Sequence, residues 1–222
     1  VMKDGRLDKE RYTTLEQDLA GATSDLPYDQ SATERFSEEF TRAVTLRLQS
    51  EVPVGTSLSG GLDSSAVAAV IAEQLAAHTE ATESVGPRQN TFSAVFPDSI
   101  NDEEKYVDAF LGQYGDRITP HKIQPKPEQF VDDLADFIRT QEEPIVSTGP
   151  YAQYQVMREA SQHVTVLLDG QGADEMMAGY VPYYLVYLRQ LRQEGKWGKL
   201  CIEAVTSLDV LLRLARFSLA DR

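Results

Sequence analysis

The chain has 222 residues, 41% hydrophobic and 25% charged, which is enough for one substantial α/β domain with a real core. Thirty-five acidic residues against 21 basic ones give a net charge of −14. That balance argues against a nucleic-acid partner, whose backbone would be repelled, and against anionic membrane surfaces. No run of 18 apolar residues and no signal-peptide pattern is present, so a cytoplasmic location is expected. The single cysteine, Cys201, excludes an internal disulfide and a cysteine-based metal cluster. Its apolar, helix-like surroundings predict a buried structural thiol.

Residues 1–30 are polar and weakly periodic and read as a linker, with a short helix at 15–20 and a turn or extended piece at Asp25-Leu26-Pro27-Tyr28. Ser31 and Glu34 form a capping-box pattern. Phe36, Phe40, Val44 and Leu48 then recur at four-residue spacing, predicting an amphipathic helix over 32–49. A short extended run, 54–58, ends in Ser59-Gly60-Gly61-Leu62-Asp63-Ser64-Ser65, and a helix follows over 66–77. Further strands are expected at 91–96 and 117–123, with a helix between them starting at Asn101 to Glu104 and ending at Gly115. Pro127 suits a first helical position, and Phe130, Leu134, Phe137 and Ile138 form a buried stripe behind it. After the break at Glu142-Glu143-Pro144 a helix runs from Pro150 to about Gln162. The run VTVLL, 164–168, has the continuous apolar character of a central parallel strand. Residues 175–219 read as two helices interrupted near 195–198.

Strands alternating with helices predict a doubly wound parallel α/β sheet with helices on both faces and a helical C-terminal extension. In such sheets ligands bind beyond the carboxyl ends of the strands, at the topological switch point. Two glycine-bearing loops follow strands directly and belong at that edge. In the first, adjacent glycines let the backbone approach an anion, and the N–H groups of the following helix point at it. The hydroxyls of Ser59, Ser64 and Ser65 add donors. Asp63 is either the N-cap of the helix or a ligand for a cation bridging it to phosphate. The Walker pattern is absent. The second loop is Asp169-Gly170-Gln171-Gly172-Ala173-Asp174-Glu175, whose acids complement a helix dipole or, for Asp174, hold Mg²⁺ opposite Asp63.

SGGLDSS resembles the pyrophosphate loop of the ATP pyrophosphatases, with the fold of the adenine nucleotide alpha hydrolases. The ordered set RLQSEVPVGTSLSGGLDSSAVAAVIA, TFSAVFP, DEEKY, EEP and LLDGQGADEMMAGY narrows the match. Together they resemble the synthetase domain of glutamine-hydrolysing asparagine synthetases, from about Ser31 to about Tyr184. The resemblance implies three parts: residues 1–30 as a linker, 31–184 as the synthetase domain, and 185–222 as a truncated helical part. It implies ATP and Mg²⁺, with the pyrophosphate on Ser59, Gly60, Gly61, Leu62, Asp63 and Ser64, and the metal on Asp63 and Asp174. The backbone at Ser57, Ala94, Asp169 and Gly170 would line adenine and ribose. The strands carrying the two loops would be neighbours.

The implied reaction activates the side-chain carboxylate of aspartate as an acyl-adenylate with release of pyrophosphate. Ammonia then attacks to give asparagine and AMP. Gln171 departs from the family pattern, which has Glu there, linked to the aminolysis step. Glutamine orients by hydrogen bonds but cannot act as a base. A related amide synthetase with an internal amine nucleophile, as in β-lactam or lasso-peptide formation, and a non-catalytic nucleotide-binding domain are the rival readings.

The family's glutaminase half begins with a cysteine nucleophile. Residue 1 here is Val, so a glutaminase domain is expected elsewhere in the full-length protein. Lys196 and Lys199 lie too close to the second loop to match the family's pyrophosphate lysine. The oligomeric state, a homodimer included, stays open. Glu103 and Glu104 are either helix-start acids capped by Asn101 or groups reaching the nucleotide. His78, His121 and His163 share no ligand spacing and read as surface or strand-end residues. Tyr180, Tyr183, Tyr184 and Tyr187 read as core or interface packing, with substrate contact as a minor option.

Overall fold

A computed structural model describes residues 2–3, 6–7, 11–21, 29–97, 99, 102–145, 147, 149–208 and 210. The turn expected at Asp25 to Tyr28, the cap expected at Asn101 and the last part of the C-terminal helix lie outside these residues. The contacts divide the chain into two units, Val1–Ala43 and Val44–Arg222. The first holds a pair of two-residue antiparallel strands, β1 (Met2–Lys3) and β2 (Arg6–Leu7), and the helix α1 (Leu15–Gly21). It also holds most of α2 (Gln30–Arg47), where Phe36 and Phe40 stack with ring centroids 6.0 Å apart. The cap of α2 is Asp29 rather than Ser31: its Oδ1 accepts from the Ala32 N–H at 2.9 Å. A carboxylate there also complements the helix dipole, which a serine hydroxyl does only weakly.

The second unit is built on a four-stranded parallel sheet. Its strands are β3 (Val54–Ser57), β4 (Gln89–Ala94), β5 (Ile118–Ile123) and β6 (Val166–Leu168), in the order β5-β4-β3-β6. From β3 the chain steps through α3 (Leu62–Ala76) to β4 and through α4 (Glu104–Tyr114) to β5. It then reverses through α5 (Pro127–Gln141) and α6 (Gly149–Ala160) to β6, on the far side of β3. The doubly wound sheet expected from the sequence is therefore present. Leu58, Ala68 and Val107 make the core of the α3–α4 layer, and Phe92, Val156, Ala160 and Val164 that of the α6 layer. Gly55 is required between them. A Cβ there would come within 3.0 Å of Phe92 and 3.1 Å of both the Asn90 carbonyl and Val164.

The run 164–168 is not a central strand. Among the described residues β6 pairs only with β3, and Val166 is 38% exposed. An apolar run does not fix how many strands flank it, and here it does not mark full coverage either. Ile138 is likewise exposed (54%) while Phe137 is fully buried, because the stripe of α5 is narrower than four residues. Cys201, on α9 (Trp197–Thr206), is exposed rather than buried. Beyond β6 the chain forms α7 (Ala173–Met177) and α8 (Val181–Gln193). The break between them, at Ala178 with φ 55°, was not expected. Tyr184 and Tyr187 hold α8 to α9 by donating to the Glu203 carbonyl (2.9 Å) and carboxylate (3.3 Å). No helix among the described residues is long and apolar enough to cross a membrane.

α6 is fastened to α5 by a polar network. Asp133 accepts from Tyr151 Oη at 2.9 Å, Gln155 Nε2 at 2.6 Å and Arg158 at 2.8 Å. Tyr154 donates to Asp136 at 2.7 Å. The Arg158 guanidinium, then the Tyr151 hydroxyl, hold the Asp133 carboxyl below the usual carboxylate range. Beside this network Phe130, Phe137 and Tyr151 pack edge to face, and Tyr154 stacks on Tyr151.

Candidate active site

Reversal of the chain after β5 puts the switch point between β3 and β6, and the two glycine loops leave these two strands. The register Val54↔Val166, Gly55↔Leu167, Thr56↔Leu168 sets Ser57 level with Asp169, so both loops start at one height. They touch. A Cβ on Gly170 would lie 2.7 Å from the Ser64 N and 2.9 Å from the Asp63 carbonyl carbon. Those are backbone atoms at the start of a helix and cannot swing aside.

The first loop is closed by its own hydroxyls. Ser59 Oγ and Ser64 Oγ are 2.9 Å apart, the Ser59 N–H donates to Ser64 Oγ at 3.2 Å, and Ser64 Oγ donates to the Gly61 carbonyl at 3.3 Å. Gly60 turns the chain at φ +87°, a conformation that favours glycine, with Tyr106 Cβ 3.0 Å from where its own Cβ would be. Gly61, extended at φ −69° and ψ 164°, is the N-cap and supplies no side-chain cap. The helix thus begins at Leu62, four residues earlier than expected, and Asp63 is its second residue rather than its cap. The N–H groups of this first turn have no acceptor within the helix. Ser93 Oγ donates to the Leu58 carbonyl at 2.5 Å and anchors the loop to β4.

The second loop is held mostly from outside. Asp169 Oδ1 accepts from the Gln171 N–H at 3.1 Å in a local turn. The Gln171 side chain, however, donates to Gln153 of α6 at 2.9 Å, and Glu175 accepts from Tyr180 Oη at 2.8 Å. Glu175 and then burial push the Tyr180 hydroxyl above its usual range. Gly179 donates its N–H to the Asp174 carbonyl at 2.9 Å, and the Asp174 carboxylate fills the space beside the Gly179 Cα, where a Cβ would clash.

Between the loops lies an open cleft of about 720 Å³. Ser57, Ser59, Gly61, Asp63 and Ser64 line it from β3 and its loop, Ala94 from β4, and Asp169, Gly170, Gln171 and Asp174 from the second loop. Gly60 and Leu62, also expected at the site, are not among its walls: Gly60 packs against α4, and the Leu62 side chain is 85% exposed. The cleft gains walls that the sequence reading did not assign: Phe92 and Phe96 around β4, and Gly149, Pro150, Ala152, Gln153 and Val156 from the start of α6. The Gly149-Pro150 helix start was legible, but nothing local tells where that helix end points. Glu103 lines the cleft, whereas Glu104 is engaged by Lys122 at 2.7 Å. Asp102 serves the start of α4, its Oδ1 accepting from the N–H groups of Phe96 at 3.0 Å and Glu104 at 3.3 Å. Tyr180 reaches the cleft, which the packing reading of the tyrosines had left as the lesser option.

Five carboxylates, those of Asp63, Glu103, Asp169, Asp174 and Glu175, line the cleft, and no lysine or arginine does so among the described residues. Such a cleft repels a bare polyphosphate. It accepts one only with a hard cation between the charges, helped by the backbone N–H groups of the α3 N-terminus. Carboxylate oxygens are the donors Mg²⁺ prefers, so the residues present fit that ion.

The Asparagine synthase family matches this chain over residues 35–221. Among curated relatives, asparagine synthetase [glutamine-hydrolyzing] 1 of Bacillus subtilis is 36% identical over 142 residues, covering 64% of this chain and 20% of its own length. Asparagine synthetase [glutamine-hydrolyzing] 1 of Arabidopsis thaliana is 33% identical over 162 residues, covering 71% of this chain and 26% of its own. The corresponding protein 2 of Lotus japonicus is 31% identical over 164 residues, again 71% and 26%. The matched stretches thus span a fifth to about a quarter of these relatives. With the sheet order, the two touching loops and a match over most of its length, this chain belongs to the asparagine synthase family.

Proposed function

We propose that this chain is the synthetase part, residues 31–184, of an ATP-dependent carbon–nitrogen ligase. It would convert aspartate and ATP to aspartyl-adenylate and pyrophosphate, and ammonia would then displace AMP to give asparagine. The observation that carries the reading is the contact of Gly170 with the Asp63–Ser64 backbone, which joins both loops in one cleft. In this reading the first-turn N–H groups of α3 and the Ser59–Ser64 hydroxyls hold the β and γ phosphates. The backbone at Ser57, Ala94, Asp169 and Gly170 borders the adenosine. Asp63 and Asp174 would hold Mg²⁺, which when bound offsets charge on the departing pyrophosphate. A glutaminase domain would supply the ammonia.

The test is aspartate-dependent exchange of labelled pyrophosphate into ATP, with Asp63→Asn and Asp174→Asn as controls. A protein that binds Mg²⁺–ATP yet exchanges pyrophosphate with no carboxylate substrate would overturn the ligase assignment in favour of a non-catalytic nucleotide-binding role.

A second reading rests on Gln171. Its amide is neutral and donates to Gln153 at 2.9 Å, so it can orient an amine but not deprotonate one. That favours a nucleophile other than free ammonia, such as an amine of the acyl substrate itself. Turnover of aspartate with ammonium alone would rule this second reading out.

A further inference from the structure

The three histidines share no ligand spacing in the sequence, yet the fold brings two of them face to face. His121 projects from β5 beside Phe92 of β4, its register partner, and the two rings stack with centroids 4.7 Å apart. His163 lies in the turn that leaves α6, where its N–H donates to the Ala160 carbonyl at 2.9 Å. Because α6 packs on β4 and β5, the imidazoles of His121 and His163 meet with centroids 4.1 Å apart. Glu159, one turn back on α6, brings a carboxylate oxygen to 3.1 Å from His163 Nε2. One ligand atom from each of His121, Glu159 and His163 lies within 4.8 Å of the others.

We propose that His121, His163 and Glu159 form a binding site for one divalent d-block cation, best suited to Zn²⁺, separate from the nucleotide cleft. Two imidazole nitrogens and a carboxylate oxygen are a donor set for zinc, with room for water at a further position. Magnesium prefers an all-oxygen shell, so the ion of the cleft would not displace zinc here, and the titration is run in excess Mg²⁺ to keep zinc out of the cleft. Zinc–ligand bonds of about 2.1 Å put tetrahedral donors roughly 3.4 Å apart. The present separations close to that by rotation of the side chains of His163 and Glu159, which are 36% and 39% exposed and free to move.

One further feature favours a metal over a packed ring pair. Asn90 Oδ1 sits 3.0 Å from His121 Nε2. In the tautomer where that Nε2–H donates to the amide, Nδ1 keeps the lone pair, the outer-shell arrangement typical of metal-ligating histidines. Phe92 also meets the His163 ring, tilted at 5.9 Å, but ring packing does not account for the Glu159 carboxylate at 3.1 Å from that second imidazole. A bound ion would tie the edge strand β5 to the end of α6. Phe92, which lines the cleft, would be braced with it.

The experiment titrates ZnCl₂ into chelator-treated protein carrying Cys201→Ser, so that the exposed thiol captures no metal. Calorimetry reads the stoichiometry, and Co²⁺ substitution reads nitrogen ligation through its visible spectrum. One equivalent is expected, with a rise in melting temperature. Affinity should fall about a hundredfold in His163→Ala and at least tenfold in Glu159→Gln. Both residues are surface-accessible, and Glu159→Gln keeps the side-chain shape, so at least one variant folds and decides the matter. Absence of stoichiometric Zn²⁺ binding in the parent, or undiminished binding in a folded His163→Ala or Glu159→Gln protein, overturns the site.

Discussion

The two loops of the cleft hold their shape by different means. The first is closed by its own residues: Ser59, Gly61 and Ser64 exchange hydrogen bonds within six positions of sequence. The second takes its shape from elsewhere: Gln171 leans on Gln153 of α6 and Gly170 on the first loop. A self-closed loop sets much of its own geometry, which would suit a phosphate cradle in the proposed ligase. A loop propped by a helix can be tuned by that helix, which in the proposed ligase would suit the part that meets the acyl substrate and the amine. The difference predicts that damage to the first loop appears in nucleotide handling and damage to the props of the second appears in the later chemistry.

The largest effect belongs to charge. In the proposed ligase, Asp63→Asn removes one of the carboxylates that would hold the cation; pyrophosphate exchange should fall about a thousandfold, several kcal/mol of transition-state stabilisation. A loss below tenfold, read in the exchange assay, would detach Asp63 from the metal. Next comes the contact between the loops. Gly170→Ala forces a methyl group against the Asp63–Ser64 backbone and must push the loops apart by a substantial fraction of an ångström. Displacement on that scale costs about a hundredfold in rate. Circular dichroism should show an intact fold, since the position lies at the rim of the sheet.

Two smaller substitutions sharpen the contrast. Ser59→Ala removes the Ser59–Ser64 hydroxyl contact and the bond from the Gly61 N–H, together about 2 kcal/mol, so Mg²⁺–ATP should bind some tenfold or more weakly. Gln153→Ala frees Gln171 at a cost of about 1 kcal/mol, and should lower turnover several-fold with little change in ATP affinity. If both variants shifted ATP affinity alike, the two loops would not divide the labour.

What was legible in the sequence follows the same division. SGGLDSS and DGQGADE could be read because strand, turn and helix start are local, and because two strands entering such loops imply a shared sheet edge. The parallel sheet came with that logic, and the pairing of β3 with β6 was implied by the family resemblance. Gln153 and the α6 wall could not be read: they arrive through a crossover whose packing depends on Asp133, 20 positions before Gln153, and its bonds to Tyr151, Gln155 and Arg158. The meeting of His121 with His163 is of the same kind, joining residues 42 positions apart through the register of β5 and the length of α6. The edge position of β6 was misjudged because an apolar run says nothing of how many strands flank it.

The smallest predicted effect concerns the helix that props the second loop. The folded state holds Asp133 below its unfolded value of 3.8, chiefly through Arg158. The unfolded chain therefore binds more protons than the native one just below that value, and stability rises with pH there. The contribution is complete above about pH 4 and is lost progressively as the pH drops below that value toward the native pKa. Other carboxylates titrate in the same range, so the difference from Asp133→Asn isolates the term. The variant cannot ionise at this position, and its stability should fall less steeply with acid over that window, measured by urea unfolding at stepped pH. It should also start lower at neutral pH, since an amide cannot pair with Arg158 as the carboxylate does. Parallel pH profiles for the two proteins would mean that the Asp133–Arg158 pair adds nothing to the attachment of α6, and that the cleft wall is held by the Tyr154–Asp136 bond and the packing of Phe137, Tyr151 and Tyr154.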